Sequence, residues 1–383
     1  MKEMPSVFNW NFDLHVPRLT GTSLSEFWFC FILMNGIFLL VYSLRYSYYS
    51  RRVTWLVFLL FCLYAFWDTD YFSFANNFYK GLDNFRDPIY KFISLLSFGS
   101  YIIFRLWIWG ISLLLVYLTT KRYELNVNIM CYVFTLFYML TFSYARASLG
   151  MALFFWGFSY MTIHDTTPFK KIIIIVTSFI LSFMAHRSML VLIIISPLSL
   201  LKLTKKSIIM IAMFFPLIII TTKFILSDVI VDLFAENSSE FAKNAKGYVN
   251  LKATMSFNWK WELITTLRYW SFYITMIYAI YKFYFKEDIE NCPKEMSAIL
   301  TISMFVVIIA VAILIISGNK LLGLWVIGYR LLYMGGIPLC LLLTYMNQTQ
   351  LLSDRGLNRL LLIPLLYGEY FLAGKILTLQ FLK

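Results

Sequence analysis

The sequence predicts an all-α, polytopic integral membrane protein of about twelve transmembrane helices, within a range of roughly ten to fourteen, on three observations. The first is composition: of 383 residues, 60% are hydrophobic, 19% aromatic and only 14% charged, an apolar excess that soluble domains do not carry. The second is that apolar runs recur almost from end to end. Crossing the hydrocarbon takes roughly 20 such residues as a helix, whose backbone groups are all satisfied within the segment. The third is that Lys and Arg cluster in every second loop, as short cytoplasmic loops do. Nothing of soluble-domain size separates the runs, so residues 1–383 read as a single integral membrane domain with an interfacial helix and a longer outer loop.

Taken in order, the spans are predicted at 25–44, 53–67, 100–119, 125–144, 147–164, 171–186, 188–201, 207–226, 262–281, 297–317, 322–345 and 360–378. The short ones, 53–67, 171–186 and 188–201, reach across only when tilted, broken or extended by flanking polar residues. The basic clusters are Arg45/Arg51/Arg52, Lys121/Arg122, Lys170/Lys171, Lys202/Lys205/Lys206, Lys282/Lys286/Lys294 and Arg355/Arg359. With these inside, the N-terminus, the 68–99 loop, Arg146, His186, the 227–261 loop and the Lys320 turn fall together on the outer side. The net charge of +13 then follows from orientation and anionic lipid, and gives little support to nucleic-acid binding.

The first two dozen residues are polar and show no cleavable signal pattern, so the first apolar run is expected to serve as an uncleaved anchor. Cys30, Cys62, Cys131 and Cys340 fall in spans and Cys292 in a cytoplasmic loop, and their spacing fits neither a metal site nor a disulfide framework. There is no repeat, phosphate loop or nucleotide fingerprint. No cofactor is expected.

The polar chemistry gathers in the outer loops. The 68–99 loop opens "DTDYFSF", with Asp68 and Asp70 just past a span, and continues "NFRDPIYKFISLLSF". Asp87 can cap a helix with Pro88 at its first position, placing Ile89, Phe92, Ile93 and Leu96 on one face, as in an interfacial helix. That helix either rests on the membrane surface or shapes a substrate groove. The 227–261 loop mixes Asp, Glu, Lys and aromatics and has the makeup of a lid.

Arg146, in "TFSYARASLGM", sits between two bilayer-length apolar stretches. Two readings fit. An arginine at a span boundary can snorkel to the interface; alternatively, a permanently charged guanidinium can grip phosphate oxygens with paired hydrogen bonds. "MAHRSML" places His186 and Arg187 at the outer end of a span, one hairpin after Arg146, so these ends can face one pocket. Arg330, in "VIGYRLLYMGG", is a third candidate cation, next to glycines that permit a helix break or close packing. Its alternative is a buried arginine bonded to backbone carbonyls.

At these residues the chain resembles the EpsG-like family of polysaccharide polymerases, relatives of the Wzy O-antigen polymerases. "YARASLGMALFFWGFSYM" followed after one helix by "FMAHRSMLVLI" is similar to that family's Arg-x-x-x-small helix and His-x-Ser helix. "DTDYFSF", "DPIYKFISLL", "KGYVN" and "GYRLLY" fall in the family's order, so the resemblance covers most of the chain. Where many members place Gln after the arginine, this chain has Ala147.

The resemblance implies a glycosyltransferase of the bacterial inner (cytoplasmic) membrane. It would transfer a glycan from polyprenyl diphosphate, such as undecaprenyl diphosphate, onto the next lipid-linked repeat unit at the outer face, for capsule, exopolysaccharide or O-antigen. Arg146, Arg187 and Arg330 would hold the diphosphate. His186, whose ordinary pKa lies near 6.5, would be the base, with Asp68 and Asp70 in reserve. No metal cluster is apparent, so a metal-independent reaction is expected. Implied partners are the lipid-linked oligosaccharide, membrane lipid, and a chain-length regulator and a flippase. Two other classes share some of these features. A transporter or flippase of lipid-linked sugar would place its polar residues near mid-bilayer and open them to both sides, and an outer-face acyltransferase would act on finished polysaccharide.

Overall fold

Apolar runs become the long helices. The computed structural model describes residues 24–64, 78, 87–139, 145–163, 167–201, 204–211, 213–214, 272–286, 293–317, 331–332 and 334–381, and every regular element among them is helical. Two compact units are distinguished: Met1–Ile193 with Cys340–Lys383, and Ile194–Leu339.

The first unit holds α1 (Leu24–Leu44), α2 (Ser50–Tyr64), α3 (Pro88–Leu95), α4 (Tyr101–Arg122), α5 (Val127–Val133, running on as a π-helical segment Phe134–Met139), α6 (Ala145–Thr162), α7 (Pro168–Ala185) and the start of α8 (Met189–Ile195). A long C-terminal helix, Asp354–Phe381, belongs to the same unit and carries Pro364 within it. Polar side chains close the helix starts: Ser100 accepts from the Ile103 N–H, and Asn126 from those of Asn128 and Ile129.

Packing centres on α4, α6 and α7. Gly150 and Gly157 lie two turns apart on the face of α6 turned to α7. A Cβ on Gly157 would fall 2.6 Å from the Ser178 Cβ, so the missing side chain is what lets the helices approach. The Ser182 hydroxyl then donates to the Gly150 carbonyl at 2.7 Å. On the other flank, Arg122 Nε donates to the Ser159 hydroxyl at 3.1 Å, and its guanidinium lies 3.6 Å from the centre of the Tyr160 ring. Tyr123 and Thr162 meet through hydroxyls 3.1 Å apart. These contacts set α4 and α6 side by side, running in the same direction.

At the end where α4 and α6 finish, three of the predicted basic loops are joined. Gln348 accepts from the Asn126 N–H and donates to the Glu124 carbonyl, Asn128 donates to the Ser47 carbonyl, and the Tyr132 hydroxyl donates to Asn358. Arg45 stacks 3.7 Å over Tyr42. Hydrogen bonds from Tyr46 and Asn347 hold the Asp354 carboxyl below its ordinary value. The alternating charge pattern assigned the loops after α1 and α4 and the loop before Asp354 to one side, and here they touch.

In the second unit a 3₁₀ turn, Ser196–Leu200, follows α8 and packs against the helix Lys294–Ser317. Pro197 ends the α-helical pattern here, so the predicted span 188–201 is a short helix and a turn. The predicted span 322–345 is interrupted by a turn at Met334 and Gly335, with Gly336–Gln348 helical beyond it. Residues 322–330 lie outside the described residues.

Among the described residues, three helices are long and apolar enough to cross a bilayer: Ile103–Arg122, Pro168–Ala185 and Lys294–Ala312. Phe31–Leu44, Val127–Phe137 and Met189–Leu200 are shorter apolar helices. The described residues therefore carry fewer full spans than the twelve expected, the others being shorter or partly outside them. The surface agrees with a lipid solvent: α7 exposes Ile172, Ile173, Val176 and Ile180 in one band.

α3 begins at Pro88 with Asp87 at its N-cap; it buries Tyr90 and Ile93 and leaves Phe92, Leu95 and Leu96 exposed. An eight-residue helix apolar on two sides can turn either toward protein. Tyr90 decides it, because its ring packs on Phe104 with centroids 6.3 Å apart.

Candidate functional site

Asp87 is in extended conformation (φ −98°, ψ 122°) at the N-cap of α3, yet its side chain makes no capping hydrogen bond. Its carboxylate is engaged elsewhere. Oδ2 lies 3.9 Å from Nη1 of Arg146 and Oδ1 lies 3.9 Å from Nε of Arg187. The carboxylate side chain is only 10% exposed, against 32% for Arg146 and 63% for Arg187. These are ion pairs at the outer limit of contact, too long to be hydrogen bonds.

Each partner is fixed by a different element. Arg146 is the second residue of α6, so it lies in the first helical turn, whose N–H groups add partial positive charge beside it. Tyr90, buried in α3, donates its hydroxyl to the Arg146 carbonyl at 3.4 Å. His186 ends α7 as its C-cap residue, its N–H bonded to the Ser182 carbonyl at 3.0 Å. Arg187 follows in the turn before α8.

His186 is also held against α6. A Cβ built on Gly150, one turn after Arg146, would fall 3.2 Å from the His186 Cβ and 2.9 Å from the Met189 Cγ. The His186 Nδ1 and the Ser188 hydroxyl are 2.8 Å apart. The direction of that bond decides the chemistry: with Nδ1–H donating to Ser188, Nε2 carries the lone pair and can accept a proton.

The structure thus brings together three of the predicted residues, Arg146, His186 and Arg187. Asp68, Asp70 and Arg330 lie outside the described residues. Sequence reasoning missed Asp87, read only as a cap. The available signal was an aspartate in an outer loop of the side that also carries Arg146 and Arg187. Two guanidiniums share the Asp87 carboxylate, and the arginine exposed to 63% can exchange partners at little cost. Such an arrangement can bind a second, stronger anion such as a phosphate or diphosphate.

Exposed apolar helix faces, with a cluster of charged side chains where α6 starts and α7 ends, describe a helical membrane protein. The chain belongs to the EpsG family, whose pattern it matches over residues 52–381. Membership implies a polysaccharide-polymerase type of function at a membrane. No curated protein and no solved structure matches the chain significantly.

Proposed function

We propose that this chain extends a surface polysaccharide at the outer face of the bacterial inner membrane, taking a glycan from polyprenyl diphosphate and joining it to the next lipid-linked repeat unit. The observation that carries this reading is the convergence of Arg146 and Arg187 on Asp87, with His186 next to Arg187 and against Gly150, one turn after Arg146. The acceptor hydroxyl oxygen attacks the anomeric carbon of the donor sugar. The bond from that carbon to the diphosphate oxygen breaks, and its electron pair leaves on the lipid diphosphate. Arg146 and Arg187 hold the diphosphate and meet the charge that grows on it. His186 Nε2 takes the hydroxyl proton, with the Ser188 hydroxyl orienting the ring. Asp87 keeps the two arginines together when no substrate is bound. Arg330 is assigned to the same anion site, and Asp68 and Asp70 are assigned as acceptor-side carboxylates. In this reading the reaction needs no metal, and the chain works beside a flippase that supplies substrate and a regulator of chain length.

The test is removal of the encoding gene followed by size analysis of surface glycan. Polymerisation predicts loss of long chains with a single repeat unit kept on the lipid. Loss of all surface glycan would point to translocation instead.

A further inference from the structure

Phe98 stands in the turn between α3 and α4 with φ 49°, in the left-handed region, and Gly99 follows it at φ 74°. That backbone is sterically costly for a bulky residue, and glycine or asparagine would adopt it more easily. The ring is 88% exposed, so burial does not offset the strain. Neighbouring groups fix the turn: the Ser97 hydroxyl donates to the Ile93 carbonyl at 2.6 Å, and the Trp107 indole N–H donates to the Leu96 carbonyl at 3.3 Å.

Phe98 borders an open apolar groove of about 370 Å³, within the range of roughly 300–1,000 Å³ usual for ligand sites. Ile103, Trp107, Gly110 and Leu114, at i, i+4, i+7 and i+11, line it along one side of α4, and Phe58 of α2 forms the facing wall. Ile108, Ser112 and Val116 are buried on the opposite side of the same helix. Among the described residues, a Cβ on Gly110 would meet Phe58 alone within 4 Å, at 3.6 Å, so the packing of α2 on α4 does not require a glycine there. What the glycine does is keep the floor of the groove open. Eleven residues of helix rise about 16 Å, close to half of a hydrocarbon core of about 30 Å. With α4 starting at the outer face, the groove has the depth of the outer leaflet.

The groove and the Asp87 cluster are joined by α3. Pro88, Phe92 and Leu95, at i, i+4 and i+7, are exposed along one side of this helix, which is about 12 Å long, and Phe98 follows at its far end. Apolar surface therefore leads from the carboxylate that Arg146 and Arg187 share to the groove on α4.

We propose that this groove holds the polyprenyl chain of the lipid-linked substrate, with Phe98 as the aromatic wall where the chain enters from α3. This rests on the diphosphate reading above and gives the same substrate a second subsite. A methyl-branched chain is thicker than a straight acyl chain, and the open floor at Gly110 has room for its branches. Between lipid tails and apolar side chains the gain comes from close packing, which a shaped groove supplies and an open helix face does not.

The experiment uses the purified full chain in phosphatidylcholine nanodiscs and two probes: inorganic pyrophosphate, followed by calorimetry, and farnesyl diphosphate carrying a diazirine at the end of its chain, with cross-links mapped by mass spectrometry. Wild type is expected to be labelled on Phe58 and on the Trp107–Leu114 face of α4, and excess unlabelled farnesyl diphosphate, but not excess straight-chain phosphatidylglycerol, should suppress the labelling. Gly110→Leu fills the floor and should reduce labelling there by about tenfold or more, with pyrophosphate affinity and melting temperature unchanged. Phe98→Gly is the second variant: the left-handed φ suits glycine, so its melting temperature should hold while labelling falls by roughly fivefold. Labelling at the wild-type level in both variants, or equal suppression by phosphatidylglycerol, would overturn the groove and leave the diphosphate site standing. Absence of pyrophosphate binding to wild type would overturn both, because the path to the groove starts at that site.

Discussion

Gly150 and Gly157 offer a paired perturbation that separates site geometry from packing. Both face α7 across the same interface. A methyl at position 157 would lie 2.6 Å from the Ser178 Cβ and 3.3 Å from the Phe179 ring, so Gly157→Ala forces the two helices apart. Overpacking of that kind costs about 1–3 kcal/mol. A methyl at position 150 would meet the Met189 Cγ at 2.9 Å and the His186 Cβ at 3.2 Å. Met189 is flexible and can yield, so the stability cost should sit at the low end, about 1 kcal/mol. His186, however, is displaced from the arginines, and misplacing a reacting group by about 1 Å can cost on the order of 100-fold in rate. The assay is polymer formation from lipid-linked repeat units by purified protein, normalised to folded protein from a thermal melt. Gly150→Ala should lose activity out of proportion to its melting temperature, and Gly157→Ala should lose stability with activity per folded molecule nearly intact. Equal activity per folded molecule in the two variants would refute the argument that His186 position matters.

Asp87→Asn removes the charge that holds Arg146 and Arg187 together; inorganic pyrophosphate should bind at least as tightly as to wild type, because an internal competitor is gone, while polymerisation falls about tenfold as the arginines lose their fixed spacing. A calorimetric titration and the polymerisation assay on one preparation decide it, and weaker pyrophosphate binding would argue against Asp87 as the resident counterion. His186→Ala should slow chain extension by roughly 100- to 10,000-fold while lipid-linked substrate still binds; full activity in that variant would exclude His186 as the base.

The long helices were legible because one physical quantity, the length of an apolar run, sets them: Leu24–Leu44, Tyr101–Arg122, Ala145–Thr162, Pro168–Ala185 and Lys294–Ser317 lie close to their expected ranges. The interruptions were less so. Pro197 ends the α-helical part of 188–201 and a turn at Met334 and Gly335 cuts 322–345, since hydropathy is indifferent to local backbone breaks. The site was legible as residue types on one side of the charge pattern. What joins them was not, because Asp87 had two uses for one carboxylate, a local cap and a distant ion pair, and only the fold decides between these.

The central claim is that Arg146 holds a diphosphate. Both members of the Arg146→Lys comparison carry a positive charge that can reach the interface, but only arginine presents two parallel donors to neighbouring oxygens. The measurement is polymer length on a gel, normalised to protein in the membrane fraction, for wild type and Arg146→Lys. Normal insertion and abundance with most polymerisation lost is the predicted result, and normal chain length in the lysine variant would contradict the account, leaving Arg146 an interfacial anchor.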